Sequence, residues 1–243
     1  MNGRRFFVRP GDVVGGRLVL RADEAHHARR VLRLGPGARV VCFDGEGSAW
    51  EGTVEAFSRD EAVVGSLEPL PFEAEPAPRV TLAQAVLKGE KMDLVVQKAT
   101  ELGASRIVPV LAERCVGAER AVGRREERWR RIALEAAKQC ERNRVSEVAD
   151  AETLASLLQR LEGLAIAFVE RAGASVTRLE SLGPSESVTV LVGPEGGWAP
   201  AERDAMRDAG VAAASLGPRV LRAETAAIAA LAVVFYALGG RQG

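Results

Sequence analysis

Two glycine–proline turns near the C-terminal end have the composition of a ligand-binding site. The first, GPEGG at residues 193–197, directly follows the apolar run at 190–192, and the second is LGPR at 216–219. Glycine lets another molecule approach the backbone closely, and proline fixes the direction of a turn. If each turn follows a strand of a parallel sheet, both lie at the carboxyl ends of strands, where open α/β sheets bind their ligands.

The chemistry of these turns argues against a phosphate-rich cofactor. No Lys-Ser or Lys-Thr pair follows the glycines as in a Walker loop, and their spacing is not GxGxxG. Glu195 also places a carboxylate where a phosphate loop needs neutral or positive groups. A neutral or cationic ligand, recognised by backbone N–H and C=O groups, suits the turns better. Either turn alone is more typical of an ordinary strand-to-helix connection, and it is the two together that favour a binding site.

A parallel α/β region is predicted to position the two turns. From residue 79 onward, strand-like and helix-like segments alternate, which is typical of a parallel sheet with helices on both faces. The strands are expected at 79–87, 105–112, 164–170, 188–193 and 213–217, and the helices at 91–102, 125–142, 153–161, 200–209 and 224–238.

The first 70 residues have a different pattern, of short strands separated by turns. Asp44-Gly45 with Glu46-Gly47 predicts a hairpin tip, and one helix is expected from an N-cap at Asp23 to Gly35. A small β-barrel or sandwich fits this spacing of strands. The proline-rich, acidic segment at 69–79 has the composition of an extended linker.

The composition is that of an ordinary globular protein of 243 residues with 33 basic and 33 acidic side chains. The zero net charge gives no global argument for a polyanionic partner, but 1–39 and 114–144 are locally basic and could follow a phosphate backbone. The longest apolar stretch is too short to span a bilayer, and no signal peptide is visible. Three scattered cysteines indicate reduced thiols in a cytoplasmic protein with no metal site.

Over nearly its full length the sequence resembles the ribosomal RNA small subunit methyltransferase E family (RsmE). Members of this SPOUT-class family methylate N3 of a uridine in 16S ribosomal RNA. The motifs that carry the resemblance are RRFF at 4–7, HHARRVLRL at 26–34, LAQAVLKGEKMDLVVQKATELGA at 82–104, IALEAAKQCER at 132–142, LVGPEGGW at 191–198 and LGPRVLRAETA at 216–226.

The resemblance implies a fold, a cofactor and partners. A PUA-like β-barrel for RNA binding would occupy residues 1–72, and an α/β parallel-sheet SPOUT domain with a C-terminal trefoil knot would occupy 73–243. S-adenosylmethionine would lie between the loops at 193–197 and 216–222. The expected partners are 16S ribosomal RNA or the small ribosomal subunit and a second copy of the chain, with no metal and no membrane.

The resemblance also implies site residues. Those expected to bind the cofactor are Glu170, Leu191, Val192, Gly193, Pro194, Glu195, Gly196, Gly197, Leu216, Gly217, Arg219, Val220, Leu221, Arg222 and Thr225. Those expected to bind RNA are Arg4, Arg9, Arg30, Lys88, Lys91 and Arg142. At Glu170 the sequence departs from the family pattern, because Arg171 stands where relatives have proline.

The transfer to N3 of uracil also requires that the nitrogen lose its proton, so the uracil anion must be stabilised. Arg222 is the predicted anion-stabilising residue and Glu195 the predicted proton acceptor. Arg219 or Arg222 could equally hold the carboxylate of the cofactor. Two alternatives remain open: a SPOUT enzyme with another target, such as a ribose 2′-oxygen or a pseudouridine, and an RNA-binding or assembly factor without catalysis.

Overall fold

A computed structural model describes residues 4–71, 75, 78–115, 122–170, 179 and 185–239. The described residues form two compact units. The first combines those of Met1–Ala74 with those of Leu134–Val145, and the second combines Glu75–Ala133 with Ser146–Gly243. The domain boundary predicted at residues 72 and 73 stays a prediction.

The first unit is a PUA-like half-barrel sheet of six strands in the order β1-β4-β5-β6-β3-β2. The strands are β1 (Arg5–Phe7), β2 (Val13–Val14), β3 (Arg17–Arg21), β4 (Arg39–Phe43), β5 (Ala49–Phe57) and β6 (Glu61–Pro69). Neighbouring strands are antiparallel, except that β1 runs parallel to β4. Alternate residues along β3 face the core, where Leu18 and Leu20 pack with Phe6, Val54 and Val64.

The helix of the first unit begins earlier than predicted. Helix α1 (Ala22–His26) has Arg21 at its N-cap, and a π-helical turn (His27–Val31) follows it. The prediction that Asp23 caps the helix was therefore wrong. Asp23 lies in the first turn instead, where its carboxylate still interacts favourably with the helix dipole.

The predicted hairpin tip between β4 and β5 is confirmed. The Asp44 carboxylate accepts hydrogen bonds from the backbone N–H groups of Glu46, Gly47 and Ser48 at 2.8, 3.1 and 3.0 Å. The Asp44 N–H in turn donates to the Ser48 carbonyl at 3.1 Å. An aspartate side chain thus closes the turn with its own backbone.

The second unit contains the predicted parallel sheet. Its order is β10-β8-β7-β12-β11-β13, with β9 paired to β8, and every pairing is parallel. The strands are β7 (Arg79–Ala85), β8 (Arg106–Leu111), β9 (Glu147–Val148), β10 (Glu152–Thr153), β11 (Leu164–Phe168), β12 (Ser187–Val192) and β13 (Ala212–Ala214). The trefoil knot that the resemblance implies stays a prediction.

The remaining helices follow the sequence pattern, but two of them end earlier than predicted. They are α2 (Lys91–Leu102), α3 (Val122–Gln139), α4 (Leu154–Leu158), α5 (Pro200–Asp208) and α6 (Ala223–Val234), which a π-helical turn (Phe235–Gly239) follows. Gly103 ends α2 in a left-handed conformation, as predicted. However, α3 ends at Gln139 and α4 at Leu158, although these helices were predicted to continue to residues 142 and 161. Among the described residues, no helix has the length and apolarity needed to cross a membrane.

Candidate active site

A cavity of about 510 Å³ lies beyond the carboxyl ends of three neighbouring strands of the second unit. Strands β11, β12 and β13 are parallel, so Phe168, Val192 and Ala214 end at the same edge of the sheet. The residues lining the cavity come mainly from the segments after these strands. The cavity therefore occupies the place where open parallel sheets bind ligands.

Both glycine–proline turns line this cavity. The cofactor residues predicted from the sequence that do so are Glu170, Val192, Gly193, Pro194, Gly196, Gly197, Leu216, Gly217, Arg219, Val220 and Leu221. Four other predicted residues do not: Leu191, Glu195, Arg222 and Thr225. Leu191 is fully buried in the hydrophobic core, so its side chain contributes to stability.

The indole ring of Trp198 explains why the first turn begins with glycine. A Cβ atom at Gly193 would lie 3.2 Å from Nε1 of Trp198 and 3.3 Å from two carbons of the same ring. The Trp198 side chain is buried in the core and also lines the cavity. The turn itself closes with a hydrogen bond of 2.9 Å from the Gly197 N–H to the Pro194 carbonyl, and Gly197 is left-handed at φ 66°.

The second turn leaves its backbone open. Gly217 has a φ of 104°, and a Cβ atom there would meet no atom within 4 Å. The Ser215 hydroxyl accepts a hydrogen bond from the Gly217 N–H at 3.2 Å, which shapes the turn. Val220 is 56% exposed, although it is a large apolar residue, and it lines the cavity. The turn thus presents accessible backbone and an apolar face to a ligand.

Glu195 points toward α2. Its Oε1 lies 2.9 Å from Nζ of Lys91, the first residue of that helix. Partial burial acts to raise the pKa of Glu195, but hydrogen bonds from Lys91 and from backbone groups outweigh it, so the pKa lies below its ordinary value. The carboxylate is therefore held ionised and is a weak base.

Arg222 occupies the N-cap position of α6, with φ −64° and ψ 148°. Its carbonyl accepts the helical hydrogen bond from Ala226 at 2.8 Å, while its side chain is exposed. Its chain neighbours Leu221 and Ala223 line the cavity. Within the described part of the chain its guanidinium has no hydrogen bond or ion pair, which leaves it available to an anion.

Sequence reasoning missed two arginines that line the cavity, Arg114 and Arg203. Arg114 donates from Nη1 to the Gly196 carbonyl at 2.8 Å. It follows β8, so the rule that ligands bind at strand ends could have identified it. Arg203 lies in α5, just after the first turn. With Arg219 and Glu170, these residues give the cavity lining three positive charges against one negative charge.

The predicted RNA-binding residues lie in both units. Arg4, Arg9 and Arg30 are exposed in the first unit, and Lys88 is exposed before α2. Lys91 is paired with Glu195, and its contact with RNA stays a prediction. Arg142 lies in the segment after α3, where its carbonyl accepts a hydrogen bond of 3.2 Å from Arg5.

The described residues contain no group of three or more His, Cys, Asp or Glu side chains that could hold a metal ion. The polar groups at the cavity include backbone amides, guanidinium groups, one carboxylate, the Ser215 hydroxyl and the Trp198 indole. Such groups recognise an organic ligand.

Two RNA methyltransferase families match the chain. The RNA methyltransferase domain matches residues 74–235, and the RNA methyltransferase PUA domain matches residues 20–65. The chain is 32% identical over 224 residues to ribosomal RNA small subunit methyltransferase E of Bacillus subtilis (strain 168), covering 88% of each chain. It is 35% identical over 241 residues to the enzyme of the same name from Mycobacterium bovis, covering 94% of this chain and 90% of the relative.

A solved structure has the same fold over its whole length. Ribosomal RNA small subunit methyltransferase E from Neisseria gonorrhoeae, bound to S-adenosyl methionine, superposes with a TM-score of 0.87 at 30% identity. The alignment covers 98% of this chain and 99% of that one. The chain therefore belongs to the ribosomal RNA small subunit methyltransferase E family.

Proposed function

We propose that this protein transfers the methyl group of S-adenosylmethionine to N3 of a uridine in 16S ribosomal RNA. The observation that carries the proposal is the convergence of both glycine–proline turns on one cavity at the carboxyl ends of β11, β12 and β13. The relative from Neisseria gonorrhoeae, which shares the fold, is bound to S-adenosyl methionine.

The residues of the cavity fit this cofactor. A Cβ atom at Gly197 or Gly217 would meet nothing within 4 Å, so a ligand can approach the backbone there. Backbone groups of the two turns can read the edges of an adenine ring, and Val220 offers an apolar surface for its face. Glu170 at the cavity is compatible with a positive sulfonium group. When bound, the cofactor supplies an electrophilic methyl carbon.

Arg222 is the residue that we assign to stabilisation of the uracil anion. Arg222 is exposed, its chain neighbours Leu221 and Ala223 line the cavity, and a positive group placed where charge develops lowers the barrier. Glu195 remains the predicted proton acceptor, but its lowered pKa makes it a weak base. Deprotonation of N3 therefore depends mainly on stabilisation of the anion by Arg222.

Basic side chains in both units would follow the RNA backbone. Arg4, Arg9, Arg30 and Lys88 are exposed and carry charge that phosphates can neutralise. The PUA-like unit would use such contacts to position the RNA, since contacts to phosphate fix orientation without reading sequence. We place this reaction in the cytoplasm, on 16S ribosomal RNA or the small ribosomal subunit.

A second copy of the chain is the proposed partner for the outer surface of α2 and α6. These helices pack on each other. Leu94 in α2, Val233 in α6 and Tyr236 in the turn after α6 are 39%, 41% and 87% exposed. Apolar residues on the outer as well as the inner face of a helix favour burial against another surface. A homodimer would bury them.

Nucleoside mass mapping tests the proposed reaction. Small ribosomal subunits from a strain lacking the gene are incubated with the purified protein and methyl-labelled S-adenosylmethionine. We expect label in N3-methyluridine, with Arg222→Ala as the inactive control. Label in a ribose 2′-O-methyl group or in a modified pseudouridine would overturn the assigned target. Binding of the cofactor without any transfer to RNA would favour a non-catalytic RNA-binding protein.

A further inference from the structure

One ammonium group lies close to a carboxylate of the first cofactor loop and to a carboxylate at the start of α6. Nζ of Lys91 is 2.9 Å from Oε1 of Glu195, in the first turn, and 3.9 Å from Oε2 of Glu224. Glu224 is the second residue of α6, and this helix starts directly after the second turn. Lys91 therefore connects the segments that carry the two turns, although it comes from a third element, α2.

Glu224 is largely buried and depends on the Lys91 ammonium for its counter-charge. The Glu224 side chain is only 12% exposed, and its Oε2 is buried without a hydrogen bond from any described residue. A buried carboxylate that loses its counter-charge is strongly unfavourable. Within the described ranges, Lys91 is the cation recorded within 4 Å of Glu224. Removing its charge would therefore disturb the start of α6 as well as the first turn.

The first turn is also held from its opposite flank. Arg114 donates a hydrogen bond of 2.8 Å to the Gly196 carbonyl. A Cβ atom at Gly196 would lie 3.4 Å from the aliphatic part of the Arg114 side chain, which packs closely there. Arg114 contacts the first turn, whereas Lys91 contacts both the first turn and the start of the helix that follows the second turn, so Lys91 can align the two.

We infer that Lys91 is a positioning residue that holds the two cofactor loops in their binding geometry. This inference rests on the proposed function, because it assigns the cavity between the loops to S-adenosylmethionine. It also revises the prediction that Lys91 contacts RNA. Ordering a loop on binding costs free energy. Loops that are already aligned avoid this cost when the ligand enters, so the affinity for the ligand is higher.

Lys88 is the matched control for Lys91. Lys88 lies just before α2 and Lys91 is its first residue, so the two are three residues apart. Both were predicted to contact RNA. The Lys88 side chain is exposed and has no recorded side-chain partner among the described residues. An RNA role predicts similar defects for Lys88→Met and Lys91→Met, whereas a positioning role separates them.

Calorimetry with S-adenosylmethionine, without RNA, tests the inference. Lys91→Met is expected to raise the Kd about two- to fivefold, the upper part of the range for loss of a partly exposed ion pair. Lys88→Met should leave the Kd within about twofold, and Lys91→Arg, which keeps the charge, should restore it. Binding of a 16S RNA fragment should weaken no more for Lys91→Met than for Lys88→Met.

Two results would overturn the positioning role. One is an unchanged cofactor Kd in a folded Lys91→Met protein, and the other is an RNA defect confined to Lys91→Met. If Lys91→Met does not fold, Glu195→Gln and Lys91→Arg supply the comparison. We expect weaker cofactor binding for Glu195→Gln but not for Lys91→Arg. Equal cofactor affinity in these two variants would contradict the positioning role. A wild-type protein that binds no S-adenosylmethionine would instead refute the proposed function.

Discussion

Replacing Gly193 by alanine tests how tightly the cofactor loop packs on the core. The added Cβ would lie 3.2 Å from Nε1 of Trp198 and 3.3 Å from Cδ1 and Cε2. Favourable contacts between such atoms lie at about 3.5–4.0 Å, so the buried indole or the loop must shift by a few tenths of an ångström. No left-handed backbone is involved at Gly193, so the effect is steric.

The size of this effect follows from overpacking of a buried site. One extra methyl group in a well-packed region costs about 1–3 kcal/mol. For a chain of this length, that corresponds to a fall in Tm of about 2–12 °C. Because Gly193 and Trp198 also line the cavity, the affinity for S-adenosylmethionine should fall as well. Thermal unfolding and calorimetry measure the two effects.

Two further variants isolate the contact with Trp198. Gly196→Ala is the control within the same turn: its Cβ would lie 3.4 Å from the exposed Arg114 side chain, so a change within about 0.5 kcal/mol is expected. Trp198→Ala removes the whole indole ring, including the three atoms nearest the added Cβ, and Nε1 has no partner to lose among the described residues. Gly193→Ala should therefore cost less in the Trp198→Ala background. Equal costs in both backgrounds would refute the steric explanation.

Three other measurements address charged and thiol groups. Arg222→Ala should abolish methyl transfer while leaving cofactor affinity within about twofold, because the guanidinium is assigned to the uracil anion; loss of binding would reassign it to the cofactor. The pKa of Glu195 is lowered below its ordinary 4.5 in the folded protein, so its contribution to stability is present above that pH and is lost as the pH falls through the lowered pKa. The free energy of unfolding of Glu195→Gln, measured with denaturant, should therefore depend less on pH in this acidic range than that of the wild type. The same pH dependence in both proteins would contradict the ion pair between Glu195 and Lys91. Burial raises the pKa of the Cys42 thiol to about 12 and, less strongly, that of Cys115, so Ellman's reagent at about pH 8 should modify Cys42 only after unfolding.

Local signals predicted the parts of the fold that position the cavity. Alternation of apolar runs with helical segments indicated the parallel sheet, and glycine with proline marked the turns. The end of β13 was misplaced, because 213–217 was predicted as strand although the strand is Ala212–Ala214. The hydrogen bond between the Ser215 hydroxyl and Gly217 begins the turn earlier, and apolar pattern alone does not show it.

Contacts between distant residues account for what the sequence could not predict. Lys91 and Glu195 are 104 residues apart, and no local pattern links them. The end of α3 was predicted at 142, but Glu141 adopts a φ of 67° beyond the last helical residue, Gln139. The chain then pairs Arg144 with Gly45, a contact within the first unit that helical propensity does not reveal.

The segment Leu134–Val145 makes the first unit discontinuous in sequence. Arg5 donates a hydrogen bond of 2.7 Å to Asn143, and Lys138 lies 2.9 Å from Glu24, where both side chains are largely buried. A nascent chain therefore cannot complete this unit until Val145 has been translated. At about 5–20 residues per second, the N-terminal strands wait on the order of 4–14 s for their missing partner. A proteolytic fragment ending at residue 74 would be less stable than the same strands in the intact chain.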